Sequence, residues 1–251
     1  MKSSMISLFF LFLVTTMGCS SSSPADLSAR PYIKKSPVTS FLPPVQNNFP
    51  PKAVQVPYIP PINSGPIIVI DPGHGKEDNG HSEGAFHEKY LNLSTSKLLN
   101  QYLTQFGYRV IMTRKDDSFP SLEDRSSLAN EKRAAVFVSI HYNSAPNVSA
   151  DGIEIFYYHD NKNNKSRSSK SKQLAQSVLD NVIHFTNAKS RGIKNGNHLA
   201  VIRNTDMPAI LIEGGFMTNV SEFEKIKTPS YQKSLALGIA RGIQEYLPLK
   251  N

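Results

Sequence analysis

Two histidines and two glutamates carry the chemistry open to this chain: His74 in IIVIDPGHG, Glu88 opening HEKYLNL, His141 in VFVSIHYN and Glu213 in AILIEGGF. Hydrolytic zinc is held by imidazole nitrogens and carboxylate oxygens, with one position left for water. A further carboxylate beside that water can serve as its general base. Two histidines, a glutamate and one more glutamate are therefore the parts of a zinc hydrolase.

Singly, each residue has a plainer account. His74 lies between two glycines, where a turn histidine is common, and His141 suits a satisfied core histidine. Glu88 suits a helix N-terminus, where a negative charge is favourable. Glu213 is the odd one, because a carboxylate inside an apolar run is partly buried and needs a partner or a function. Asp71 and Asn143 could support the ligands or simply order their own loops, and His81 and His87 read as loop residues.

The elements that must position these side chains alternate between strand and helix signals. Ile67–Asp71, Ala135–Ile140 and Ala209–Glu213 are continuous apolar runs, as expected of strands buried on both faces of a parallel sheet. Tyr108–Thr113 is a further strand, and Gly152–Tyr158 alternates in a manner expected nearer a sheet edge. Leu91, Thr95, Leu98, Tyr102 and Phe106 recur at helical spacing before Gly107. Helices are also predicted over Leu122–Arg133, Ser171–Phe185 and Ser230–Leu247, the last capped by Thr228 and Pro229. The expected fold is one α/β layered domain, a mostly parallel twisted sheet flanked by helices. Sites in such sheets form at the carboxyl ends of the strands, and that topology puts all four residues on one rim.

Composition bounds the rest. The 251 residues, 39% hydrophobic, suit one ordinary domain with appendages. The net charge of +8 favours acidic partners. No aromatic-rich basic motif is present, so nucleic acid is not expected among them. Lys2 precedes an apolar run, Met5–Val14, too short to span a bilayer comfortably. The residues before Cys19, the sole cysteine, resemble a bacterial lipoprotein signal, with Thr16 where an aliphatic residue is usual. We therefore expect an export signal over 1–19 and a periplasmic protein attached to a membrane through a lipidated Cys19. A Ser/Pro-rich stretch, 20–65, with Pro43-Pro44, Pro50-Pro51 and Pro60-Pro61, reads as a disordered tether. At about 3.1 Å per residue it could reach roughly 100 Å. Residues 66–251 hold the catalytic domain.

The motifs DPGHG after a strand, GAFHEKYLNL, the R-x-x-x-A-N of Arg125–Asn130, VFVSIHYN and PAILIEGGFMTN together resemble the zinc-dependent N-acetylmuramoyl-L-alanine amidases of amidase family 3. That group includes the periplasmic AmiA, AmiB and AmiC. The resemblance implies that His74, Glu88 and His141 bind Zn2+ and that Glu213 is catalytic. It further implies that the substrate is peptidoglycan or its precursors and fragments, cut between N-acetylmuramic acid and L-alanine in cell-wall remodelling or cell separation. In regulated relatives an inserted helix plugs the zinc site until an activator protein removes it. Here Tyr158–Ser171 is short, polar and basic, so an uninhibited enzyme is expected and an activator is not required by the sequence.

Two other classes have sequence support. Ser-x-x-Lys occurs at Ser94/Lys97, Ser169/Lys172 and Ser230/Lys233, the signature of a serine-type D-alanyl-D-alanine carboxypeptidase, though neither S-D-N nor K-T-G accompanies it. A non-catalytic peptidoglycan-binding protein would use the same groove without turnover.

Overall fold

The computed structural model describes residues 65–160 and 162–249. The expected export signal with Cys19, and all of the expected tether except Gly65, lie outside the described residues. In chain order the elements are β1 (Ile67–Pro72), β2 (Ser82–Glu83), β3 (Phe86–His87), α1 (Glu88–Gln105), β4 (Arg109–Met112), α2 (Leu122–Glu131) and β5 (Val136–Asn143). Then come β6 (Ile153–Tyr157), α3 (Lys165–Thr186), β7 (Ser190–Asn195), α4 (Ala200–Arg203), β8 (Ala209–Phe216), α5 (Val220–Ile226) and α6 (Pro229–Tyr246).

Six strands form one sheet in the order β4-β1-β5-β8-β6-β7, while β2 and β3 make a separate small hairpin. Strands β4, β1, β5 and β8 run parallel. Strand β6 runs against β8, and β7 runs alongside β6. The expected mostly parallel sheet flanked by helices is the architecture found.

The apolar runs are explained by burial on both faces of the sheet. Ile68, Ile70, Val138, Ile140, Ile210 and Ile212 pack into the larger core with α1, α3 and α6. Val69, Phe137, Ala209 and Leu211 face the other way, onto Ala129 of α2 and Val201 and Ile202 of α4. These two short helices cover that second face only in part, and a cleft remains at the carboxyl ends of the parallel strands.

Local signals place the helix starts. Ser121 and Asp124 form a capping box at α2, and Thr228 accepts from the Tyr231 N–H with Pro229 in the first turn of α6, as expected. Other boundaries differ from expectation. Strand β6 is interior, because β7, unforeseen in the sequence, takes the edge. Helix α3 begins at Lys165, six residues early, capped by Asn164. The basic stretch there is not a solvated loop. The Arg167 guanidinium lies 3.6 Å from the centre of the Tyr158 ring and donates to the carbonyls of Ile202 and Met207.

Candidate metal centre

Strand β1 ends at Pro72, and the loop after it turns back under two buried arginines. Arg114 Nε and Nη2 donate to the carbonyls of Pro72 and Gly73, while Arg125 Nη1 and Nη2 donate to those of Pro72 and His74. Every carbonyl from Pro72 to His74 is thereby held by a guanidinium. Asp71 neutralises Arg125 at 2.8 Å and also accepts from Thr113 and Ser139. Losing one partner of so buried a pair typically costs about 3–5 kcal/mol. Asp71 thus anchors the loop and makes no contact with the four chemistry-bearing side chains among its hydrogen bonds.

The clamp presents His74 with φ at +62°. Its Nδ1 is 2.8 Å from Asp78 Oδ2, which favours the tautomer with the lone pair on Nε2. Nε2 points at Glu88 Oε1, 3.2 Å away. Glu88 is the first residue of α1 and is buried. Its Oε2 accepts from the His81 N–H, and its Oε1 accepts from Asn92 Nδ2 and the Tyr142 N–H. His141, near the end of β5, places Nδ1 3.0 Å from the same Oε1. One ligand atom from each of His74, Glu88 and His141 lies within 4.8 Å of the others.

Those residues fit a divalent cation. Ligand atoms around tetrahedral zinc stand about 3.3 Å apart at bonds of about 2.0–2.1 Å, close to the two nitrogen–oxygen separations above. The donor set, two imidazoles and a carboxylate, is one that zinc accepts. Burial by itself would raise the Glu88 carboxyl, but the hydrogen bonds and charge of His141 and His74 outweigh it and hold the group well below the usual carboxylate range. Burial likewise opposes protonation of His74, and its contacts with Glu88 and then Asp78 override that and raise it.

Two glycines make room for this cluster. A Cβ on Gly73 would run into the His141 imidazole. A Cβ on Gly80, whose φ is +63°, would strike Glu88 Oε2 and come within 2.7–2.8 Å of the His74 ring.

Glu213 pairs directly with His141 across β5 and β8, so the two side chains share a sheet face. The strand continues past Glu213 to Phe216, with a bulge between the His141–Glu213 and Asn143–Phe216 pairs. Its residue as a whole keeps some exposure, yet Oε2 is out of solvent and has no hydrogen-bond partner among the described residues. Burial, and then the negative charges of Glu88 and Glu154, push its carboxyl well above the usual range. An acceptor left empty in this way is matched to a proton donor that arrives with water or substrate.

Beside the imidazoles lies a cleft of about 350 Å³, floored by Asp71 and Leu211 and walled by Phe119 and Leu122 on one side and His198 to Val201 on the other. The four expected residues are thus on one rim. Asn143 turns away from the cluster and donates to Glu154. His87 bonds Ser82, and His81 contributes its backbone N–H to Glu88. Sequence reasoning did not identify Asp78, Asn92 or Arg114; the glycines around His74 and an acid four residues on could have pointed to Asp78 alone. The serines of the Ser-x-x-Lys motifs are engaged elsewhere: Ser94 donates to Gln232, Ser169 accepts from Gln173, and Ser230 pairs with Thr228.

A mixed sheet with an imidazole–carboxylate cluster at the carboxyl ends of its strands defines an α/β domain with a metal-competent site. Residues 68–245 match the N-acetylmuramoyl-L-alanine amidase family, and the chain belongs to it. It is similar to the solved N-acetylmuramoyl-L-alanine amidase from Clostridium difficile 630, at 41% identity and a TM-score of 0.68, over 74% of this chain and 99% of that one. It is 35% identical over 185 residues to the sporulation-specific N-acetylmuramoyl-L-alanine amidase of Bacillus subtilis strain 168, covering 73% of this chain and 69% of that protein. The CwlD amidase from Clostridioides difficile, solved in complex with the GerS lipoprotein, is 27% identical with a TM-score of 0.67, over 74% of this chain and all of that one.

Proposed function

We propose that this protein is a zinc-dependent hydrolase of the amide between N-acetylmuramic acid and L-alanine in peptidoglycan, acting in wall remodelling or cell separation. His74, Glu88 and His141 would hold the metal, and Glu213 would move the proton. The observation that carries the reading is the unpartnered Glu213 Oε2, one strand from a three-ligand cluster, in a member of the amidase family.

A zinc ion held by His74, Glu88 and His141 would supply Lewis acidity for a water and for the scissile carbonyl. The chain's own residues do the rest. Asp78 fixes the His74 ring, and the His81, Asn92 and Tyr142 donors fix the Glu88 carboxylate, so the ligands need no reorganisation. Glu213 takes a proton from the attacking water at Oε2. It then returns that proton to the leaving amine of L-alanine, ending as it began.

Freedom from a built-in plug has topological support. Glu154 pairs with Glu213, whereas Tyr157 pairs with Ile210 at the start of β8. Strand β6 therefore carries Tyr158 and the basic stretch after it towards the rim opposite the metal cluster. We place the protein outside the cytoplasm on a lipidated Cys19. Mass analysis of the mature N-terminus checks this, and a terminus without acylated cysteine overturns it.

Purified protein, with no partner added, is expected to release stem peptides beginning with L-alanine from peptidoglycan. A chelator should stop this and zinc should restore it, with mass spectrometry of the digest as the readout. Release of terminal D-alanine alone would favour the serine-type reading, and metal-free turnover would defeat the mechanism.

A further inference from the structure

Strand β7 brings two cations to the site that the metal chemistry does not use. Arg191 Nε and Lys194 Nζ stand 2.7 and 2.6 Å from the same oxygen of Glu154, Oε2, while Asn143 Nδ2 occupies Oε1 at 2.8 Å. Glu154 is buried, whereas Arg191 and Lys194 remain 30% and 39% exposed. Burial would raise the Glu154 carboxyl, but Lys194 and Arg191 together hold it below its ordinary value. The cluster is therefore two cations against one anion, with a net positive charge facing solvent. Among the described residues Arg191 Nη2 has no acceptor; Nη1 donates to the Asp151 carbonyl, and the guanidinium lies 4.8 Å from the centre of the Phe216 ring. That ring and Glu154 fix the fork and leave one edge of it free.

Position gives the cluster its meaning. His141, Glu213 and Glu154 are directly opposed across β5, β8 and β6, and all three share one face. Lys194 is paired with Phe156, and Phe156 packs edge-on against His198, which walls the cleft beside the imidazoles. The cations thus stand one to two strand spacings beyond Glu213, roughly 5–10 Å at about 4.8 Å per strand. An extended peptide advances about 3.3–3.6 Å per residue, so a chain leaving the scissile amide in this direction reaches the cations with its second residue.

We propose that Arg191 and Lys194, held by Glu154, form a carboxylate-binding subsite for the peptide side of the substrate. It receives the first free carboxylate past the scissile amide, on the second residue of the stem peptide. The inference rests on the amidase reading and adds the part of the substrate that this chain selects. A carboxylate there accepts from the free Arg191 edge and the Lys194 ammonium, charge-assisted bonds that a neutral carboxamide replaces poorly.

The test uses two muropeptides identical except that the second residue carries either a free α-carboxylate or a carboxamide. The zinc-loaded enzyme should prefer the carboxylate by about 10- to 100-fold in kcat/KM. Arg191→Ala and Lys194→Ala should each remove most of that preference, raising KM for the carboxylate peptide by about 10-fold more than for the carboxamide. Arg191→Lys and Lys194→Gln, checked for folding by thermal melting, should fall between. No preference in the unaltered enzyme, or equal loss on both substrates, overturns the subsite. Equilibrium binding of the two peptides to the Glu213→Gln protein separates the readings. If neither muropeptide is cleaved yet the carboxylate peptide binds more tightly in an Arg191-dependent way, the amidase reading fails and the subsite stands.

Discussion

Glu213→Gln is expected to lower kcat by about 10²- to 10⁴-fold, the range that a positioned general base contributes, while the protein keeps its metal. The glutamine amide matches the carboxyl in shape but accepts no proton at the atom that has no partner. None of the three ligand side chains hydrogen-bonds Glu213, so metal content measured on purified protein should match that of the unaltered enzyme. Thermal stability should rise, because a desolvated carboxyl beside the negative Glu88 and Glu154 is a strained arrangement that an amide relieves. Near-normal turnover in this variant would remove Glu213 from the reaction.

Gly73→Ala and Gly80→Ala should act in the opposite sense, on metal rather than proton transfer. At Gly73 a methyl group occupies the position of the His141 imidazole, and at Gly80 it meets both Glu88 and His74. Since shifting even the supports of a ligand commonly weakens metal binding by about 10- to 100-fold, displacing the ligands themselves should weaken it by about 100-fold or more. Competition with a chromophoric zinc chelator measures this, and activity should return in part at high zinc. Gly84→Ala, in the turn of the adjoining β2–β3 hairpin, is the control. It too has positive φ, +57°, but nothing lies within 4 Å of the added methyl, so it should cost about 1 kcal/mol of stability and leave metal affinity alone. Equal metal affinity in all three variants would contradict the steric account.

The parallel core strands were legible because burial on both faces demands unbroken apolar runs, as IIVID and AILIE are. The four chemistry-bearing residues were legible only jointly, since each alone has a bland account but the alternation of strands and helices puts all four on one rim. What stayed hidden depended on partners far away in sequence. Strand β7, SRGIKN, has one apolar residue and is a strand only because β6 supplies its hydrogen bonds. The start of α3 was masked by lysines and serines, and Arg167 is buried there only because Tyr158 and two carbonyls receive it. Arg114 carries no motif, since its task is to hold carbonyls that come together 41 or 42 residues away. Helix α5 was within reach: Asn219 followed three residues later by Glu222 is a helix-start pattern, and Asn219 does accept from the Glu222 N–H.

The place of β7 at the end of the sheet has a consequence for solubility. An unpaired strand edge is a template on which another chain can add itself, and proteins guard such edges with short strands and charged side chains, lysine above all. Here the guard consists of Arg191 and Lys194 on a six-residue strand. Neutralising both to broaden substrate choice would bare one of the two flanks of the sheet, so aggregation would set the practical limit on that redesign.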